Sequence, residues 1–289
     1  MKILITGAAG LVGRALAEHC RALGDEVFAY DRQSLDIADR EQVDAVIAER
    51  RPDAVINCAA WTNVDACEGD PEQTRQANSL GPENLARASR RVAAGFVTIS
   101  TDYVFDGLKE GFYTQRDNPD PINVYGRFKL EGERRVQAEH ARTIVVRSGY
   151  IFGLGGKNFL STVVTRARNG ERVMAIGDCY GTPTYGRDLA ARLRELATVD
   201  LPGIYHVTNS GEGASFETFA REALALAQYR GSIESVSMDA LQRPARRPRN
   251  TRLKCVLSPA IGLSPLRSWQ EAVADFVAEL SESSVSQKT

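Results

Sequence analysis

Histidine is scarce in this 289-residue chain: His19, His140 and His206 are the full set, and none completes a metal-ligand spacing with its neighbours. The five cysteines (Cys20, Cys58, Cys67, Cys179, Cys255) are scattered and nowhere form C-x-x-C. An odd, unpatterned set of this kind argues against a disulfide framework or a zinc ribbon, and predicts reduced thiols in a cytoplasmic protein. No uncharged apolar run approaches the roughly 18 residues that a membrane span needs. Excess charge is missing too: 36 Lys plus Arg face 37 Asp plus Glu, for a formal net charge of −1. That balance supplies no bulk attraction to nucleic acid or to an anionic membrane. The uncharged run 3–13 behind Lys2, followed by Ala15-Leu16-Ala17, mimics a signal peptide. Gly7, Gly10 and Gly13 punctuate it too regularly for that reading.

What the chain does have is core material and cadence. Hydrophobic residues make up 43% and charged residues 25%, the balance of an ordinary globular enzyme. Short β-rich runs at 2–6, 26–30, 54–58, 95–100 and 143–147 alternate with helical stretches at 11–23, 40–50, 71–91 and 124–140. Four of the runs are nearly continuous Val, Ile, Leu, Phe and Ala, as expected of parallel strands covered on both faces. Strand, helix, strand at this spacing predicts right-handed crossovers and an α/β, doubly wound parallel sheet over residues 1–150. Residues 151–289 are less regular. Helices are expected at 158–169, 187–198, 215–229 and 268–282, a strand at 204–208, and a frayed polar tail at 281–289. This half is expected to pack against the sheet as a smaller, mainly substrate-binding α/β region, with room for one segment returning to the sheet.

Thr6-Gly7-Ala8-Ala9-Gly10-Leu11-Val12-Gly13 falls where the first strand should end and the first helix begin. Glycine there permits a tight turn, lets the backbone approach a pyrophosphate and lets helix pack closely on strand. The anion then rests on N–H groups of the helix N-terminus, beside Leu11 and Val12. The spacing is G-x-x-G-x-x-G. Asp31 closes the second strand, where an acid accepts bonds from an adenosine ribose. Arg32 beside it favours a 2′-phosphate that the acid disfavours, so NADP and NAD are both expected. Asp36-Ile37 is placed near the adenine, and Cys58-Ala59-Ala60-Trp61 near the nicotinamide ribose.

The chemistry is carried by Tyr125-Gly126-Arg127-Phe128-Lys129. Tyr and Lys four apart share one helix face, and an ammonium beside a phenol should lower the phenol pKa toward neutrality. Such a Tyr exchanges a proton with a carbonyl or alcohol oxygen. Upstream, Ser100-Thr101-Asp102-Tyr103-Val104-Phe105 follows the fourth strand at its carboxyl end, the edge where open α/β sheets bind ligands. Thr101 is expected to donate a bond to the same reacting oxygen.

Together, the glycine turn, Asn78 in Asn78-Ser79-Leu80-Gly81, the Thr after strand four and the Tyr125/Lys129 pair resemble an extended short-chain dehydrogenase/reductase with a Rossmann-like sheet. More narrowly, Arg51-Pro52-Asp53-Ala54-Val55-Ile56-Asn57, Ser100-Thr101-Asp102-Tyr103-Val104-Phe105-Asp106-Gly107 and Asn123-Val124-Tyr125-Gly126 resemble the dTDP-4-dehydrorhamnose reductase family. So do Gly181-Thr182-Pro183-Thr184 and Arg246-Arg247-Pro248-Arg249-Asn250-Thr251-Arg252-Leu253. The resemblance implies reduction of the C4 ketone of dTDP-4-dehydro-β-L-rhamnose by NAD(P)H, giving dTDP-L-rhamnose. It implies Tyr125 as general acid and Lys129 as the group that lowers its pKa and holds the nicotinamide ribose. Thr101 would fix the carbonyl oxygen, and Asn78 would support the lysine through the proton-relay site of such enzymes. Asp102, Tyr103 and Tyr150 would bound the sugar, Tyr150 standing where the family often has tryptophan. Some members bind Mg²⁺ through an acid early in the first helix; Arg14-Ala15 stand there, so no metal is carried over.

Other readings stay open. A 4,6-dehydratase shares the cofactor site but needs Asp-Glu after the Thr, and here Asp102-Tyr103 follows. A 4-epimerase lacks the S-T-D-Y-V-F resemblance. Reductases of other dTDP-4-keto-6-deoxy sugars are the nearer rival. A non-catalytic NADP-binding subunit resembling the regulatory subunit of methionine adenosyltransferase is the rival from another class, through its Arg-Pro-Arg-Asn segment. The basic loop 243–249 reads as a solvated loop or as a lid whose Arg249 meets a pyrophosphate. A homodimer is compatible with all of these.

Overall fold

The computed structural model describes residues 1–286, with side chains to residue 282. Strand formation follows burial. Ile3, Leu4 and Ile5 of β1 (Lys2–Thr6), Val55 and Ile56 of β3 (Ala54–Asn57), Phe96 and Val97 of β4 (Gly95–Thr101), and Ile144 to Val146 of β5 (Thr143–Ser148) are all sealed from solvent. β2 (Glu26–Tyr30) is the exception: it forms the outer edge and stays half exposed.

These strands and β10 (Gly203–His206) make one parallel six-stranded sheet in the order β10-β5-β4-β3-β1-β2. Alternation along each strand splits the core in two. Ile3, Ile5, Ile144 and Val146 face α1 (Leu11–Ala22) and α8 (Gly186–Val199), through Leu16, Leu189 and Leu193. Leu4, Val55, Phe96 and Val145 face α2 (Arg40–Arg50) and α5 (Gly81–Arg91), through Val43, Ile47 and Leu85. Strand order reverses between β1 and β3, so a crevice opens at their carboxyl ends.

The sheet runs past residue 150: α8 and the strand expected at 204–208, here β10, return from the second half to complete it. Two local features differ from expectation. The helix expected over 71–91 is α4 (Pro71–Arg75), a π-helical turn (Gln76–Leu80) and α5. Pro82 has no N–H to give the carbonyl of Asn78 four residues back, and that carbonyl lies against Gly132 instead. A short helix, α3 (Val64–Gly69), was not anticipated; its sequence is too brief and mixed for periodicity, and Asn63 starts it by accepting the Ala66 N–H.

The remainder forms a second core. α7 (Phe159–Arg168), α9 (Phe216–Leu226) and α11 (Trp269–Ser286) enclose Phe152, Phe219, Trp269 and Phe276. Two-stranded ribbons between β6 (Ile151–Phe152) and β9 (Thr184–Tyr185), β7 (Val173–Ile176) and β12 (Ile233–Val236), and β8 (Tyr180–Gly181) and β11 (Ala214–Ser215) brace it. The tail expected over 281–289 lies in part outside the described residues; within them α11 runs on to Ser286. α6 (Val124–Glu139) and α10 (Leu257–Ala260) complete the helices, and the loops before them meet through Tyr113 beside Leu253 and Gln115 beside Cys255 and Val256. No helix among the described residues is long and apolar enough to cross a membrane.

Candidate active site

The glycine turn has the geometry its spacing predicts. Gly7 sits at φ +68°, and a Cβ there would stand 2.6 Å from the Ala59 nitrogen. A Cβ on Gly13 would overlap the Gly7 carbonyl oxygen. Gly10 is the N-cap of α1, with no capping side chain and no acid in the first turn. The free N–H groups of that turn suit a phosphate, and the turn leaves no room for side chains in its place.

A cavity of about 650 Å³ runs from this turn over Asp31, Arg32, Asp36, Ile37, Ala59, Ala60 and Trp61. It continues through Gly10, Cys58, Ala59 and Ala60 into a second cavity of about 480 Å³. The second is lined by Leu11, Val12, Gly13, Thr101, Asp102, Tyr103, Tyr125, Lys129 and Tyr150. One groove therefore joins nearly all the predicted residues, with the glycine turn at its middle. An extended dinucleotide fits this layout.

At the outer end Asp31 is more turn than ligand as it stands. Its Oδ1 accepts the Ser34 hydroxyl at 2.7 Å and the Gln33 and Ser34 N–H groups, which hold the carboxyl below its usual range. Asn78 does not line the groove. Its side chain clamps Trp61, accepting that residue's N–H at 2.9 Å and donating to its carbonyl at 2.9 Å. Its π turn docks on α6 next to Lys129, with Ser79 Oγ donating to the Phe128 carbonyl at 2.7 Å.

At the inner end Asn123 caps α6 by accepting the Gly126 N–H at 2.8 Å, and so starts the helix one residue before Tyr125. A Cβ on Gly126 would overlap the Tyr103 carbonyl, so this glycine lets the helix seat against the loop after β4. Tyr125 and Lys129 are both buried. The expected lowering of the Tyr125 phenol is corrected: burial pushes it above its ordinary value of 10, and the Thr101 hydroxyl only partly opposes this. Lys129 donates to the Ile99 carbonyl at 2.7 Å, and burial pulls its ammonium down to about 8. Thr101 Oγ1 donates to Asp102 Oδ1 at 3.0 Å and accepts the Tyr103 N–H at 3.1 Å. The other Asp102 oxygen is buried without a partner, and burial pushes the carboxyl up to about 6.

Tyr150 holds a left-handed backbone (φ +47°), which turns its ring onto Phe216 with centroids 4.2 Å apart. Its hydroxyl donates to the Cys179 carbonyl at 3.2 Å. Phe216 and Lys157 also line the inner cavity and were not predicted; Asn158, which opens the helix expected at 158–169, lines it too. The Gly-rich run ending in Lys157-Asn158 was a visible signal, since Asn158 caps α7; an isolated Phe216 offered none.

Arg249 lies apart. It is exposed and ion-paired with Asp178 (2.8 Å) and Asp239 (2.5 Å) in a separate cavity of about 560 Å³ that Arg243, Arg246 and Arg247 share. Of the arginines in this loop, Arg247 pairs with Asp65 and neighbours Tyr103, which lines the inner cavity.

Comparison with known proteins agrees with this geometry. The family profile described as the RmlD substrate binding domain matches residues 1–282. A dTDP-4-dehydrorhamnose reductase of Mycolicibacterium smegmatis is 38% identical over 280 residues, covering 96% of this chain and 85% of the relative. The crystal structure of a dTDP-4-dehydrorhamnose reductase from Clostridium acetobutylicum superposes with a TM-score of 0.94 at 34% identity, over 97% of this chain and all of that one. That of the Bacillus anthracis enzyme, in complex with NADP, gives 0.93 at 34% identity over 96% of this chain and 100% of that one.

Proposed function

The chain belongs to the RmlD substrate binding domain family, and from that premise we propose that it reduces the C4 ketone of dTDP-4-dehydro-β-L-rhamnose to dTDP-L-rhamnose with NAD(P)H. The observation that carries this reading is the convergence of Thr101, Tyr125 and Lys129 at the inner end of one groove whose middle is the glycine turn. Enzymes of the same name surround the chain among its relatives.

The groups fit a dinucleotide. Gly7, Gly10 and Gly13 with the N–H groups of Leu11 and Val12 would hold its pyrophosphate. Asp31, Arg32, Asp36 and Ile37 would hold the adenosine, and Ala59, Ala60, Trp61 and Lys129 the nicotinamide riboside. NAD(P)H bound there supplies the hydride.

Tyr125 is the general acid. Burial keeps its phenol protonated at neutral pH, as a donor to the C4 oxygen must be. Lys129, one helical turn on, offsets the phenolate charge left behind in a poorly solvated groove. Thr101 orients the C4 oxygen once its hydroxyl turns from Asp102. Tyr103 and Tyr150 bound the sugar, with Asp102 beneath it. Asn78 acts indirectly, through Trp61 and the seat of α6. Arg249 reaches the nucleotide only if it leaves Asp178 and Asp239; Arg247 is better placed.

The reaction draws on a cytoplasmic reductant, and we assign the enzyme there; sedimentation would settle whether it pairs with itself. The decisive test follows NADPH and NADH oxidation against a panel of dTDP-4-keto sugars made in situ. Turnover should be greatest with dTDP-4-dehydro-β-L-rhamnose, and dTDP should compete with it. Much of the energy for orienting C4 should come from the remote nucleotide. Equal kcat/KM for the free and nucleotide-linked sugars would reject the reading.

A further inference from the structure

Tyr125, Lys129 and Glu133 recur every four residues along α6, so all three look toward the end of β4. Each is buried, Glu133 to 3% exposure. Lys129 grips the Ile99 carbonyl, and Glu133 grips the next residue, accepting the Ser100 hydroxyl at 2.5 Å. Ser100 immediately precedes Thr101. Arg147 of β5, in register with Ser100, closes the contact from the other side: its Nε and Nη2 donate to the two Glu133 oxygens at 2.9 and 2.7 Å. Its guanidinium lies 5.2 Å from the Phe105 ring centroid.

A buried ion pair is a poor source of stability, since apolar residues of similar size often serve as well or better. What it does supply is a fixed register and a fixed charge. Both matter at this place. The pair sets how far α6 can slide or rotate against the strand end that carries Thr101. It also puts a carboxylate on the same helix face as the Lys129 ammonium, where its charge favours keeping the proton on the lysine against burial. The other ionisable groups around this cluster give no comparable support. Asp102, after β4, and Cys67, on α3, face Tyr125; Tyr103 stands beyond it; Arg147 on β5 is cationic and spent on Glu133.

We propose that Glu133, held by Arg147 and Ser100, is a positioning residue for the reduction, keeping Lys129 charged and its helix in register with Thr101. This rests on the assignment of Tyr125 and Lys129 as the proton-transfer pair.

The test is Glu133→Gln, which keeps size and hydrogen bonding but removes the charge, together with Glu133→Gln/Arg147→Gln, which leaves no buried ion unpaired. The Lys129 titration is followed by NMR of chains carrying lysine labelled with ¹³C at the ε position, alongside the pH profile of kcat and the melting temperature. The expected result is a Lys129 midpoint about one unit lower in Glu133→Gln, a tenfold loss of proton affinity, and a smaller downward shift in the double variant, where the Arg147 cation is removed too. The alkaline limb of kcat should move the same way, so that kcat falls about twofold at pH 7 and about tenfold near pH 9, with little change in KM. A lower melting temperature with an unmoved Lys129 midpoint in both variants would reduce Glu133 to a structural role and overturn the proposal. The lysine titration needs no substrate. If the wild-type chain turned over no keto sugar while the midpoint still shifted, the proposed reaction would fall and the charge coupling would stand.

Discussion

Lys129 Nζ donates to the carbonyl oxygen of Ile99 at 2.7 Å and makes no hydrogen bond to Tyr125, although one turn of helix separates the two side chains. The lysine thus acts on the tyrosine through space and through shared placement, and the phenol in this groove is a protonated donor.

Tyr125→Phe should therefore remove the proton donor and leave the groove otherwise intact. Turnover is expected to fall at least about a hundredfold, with NADPH affinity within about twofold of wild type. Steady-state rates and fluorescence titration of NADPH check both halves. A near wild-type rate would end the assignment of Tyr125.

Asp102 yields a stability prediction whose sign is fixed by burial. Its folded pKa of about 6 lies above the ordinary 3.8, so the folded chain binds this proton more tightly than the unfolded one. The carboxyl costs nothing below pH 3.8, and its penalty grows as pH rises to about 6, above which it is complete. A shift of this size corresponds to about 3 kcal/mol, as an order of magnitude. Asp102→Asn should accordingly stabilise the protein at pH 7.5 and have little effect near pH 3.5. Urea unfolding at the two pH values tests this, and an equal effect at both would refute it.

Arg32 lines the outer cavity beside Asp31, and no partner for its guanidinium is found among the described residues. Arg32→Ala should raise the Kd for NADPH about tenfold, the worth of one charge-assisted bond, and change that for NADH less than twofold. Parallel losses for the two cofactors would show that Arg32 does not face the 2′ position.

Gly13→Ala adds a methyl group against the Gly7 carbonyl in the phosphate turn. The backbone must move, at a cost of about 1–3 kcal/mol. The displaced turn should weaken NADPH and NADH alike by at least about tenfold, because both share the pyrophosphate. Melting temperature and the two Kd values measure it; an unchanged Kd for either would place the pyrophosphate elsewhere.

Much of this molecule could be read in one dimension because the forces that shape it are local or periodic. Apolar runs such as 54–58 and 143–147 had to be buried on both faces, and helices between them had to supply the cover. Gly7 and Gly13 marked the turn because no other residue tolerates that backbone angle and that approach. Tyr125 and Lys129 share a face because a helix repeats every 3.6 residues.

The tertiary structure decided what depends on groups far apart in the chain. Burial comes from the whole fold, and it raised the Tyr125 phenol where the neighbouring lysine alone suggested lowering. The pairing of β10 with β5, the partners that occupy Asp31 and Arg249, and the seat of Phe216 on Tyr150 each arise from folded contacts that leave no periodic trace. Glu133 shows the division most clearly. Its place two turns beyond Tyr125 stands in the sequence, but only strands β4 and β5, meeting in register, bring Ser100 and Arg147 to it.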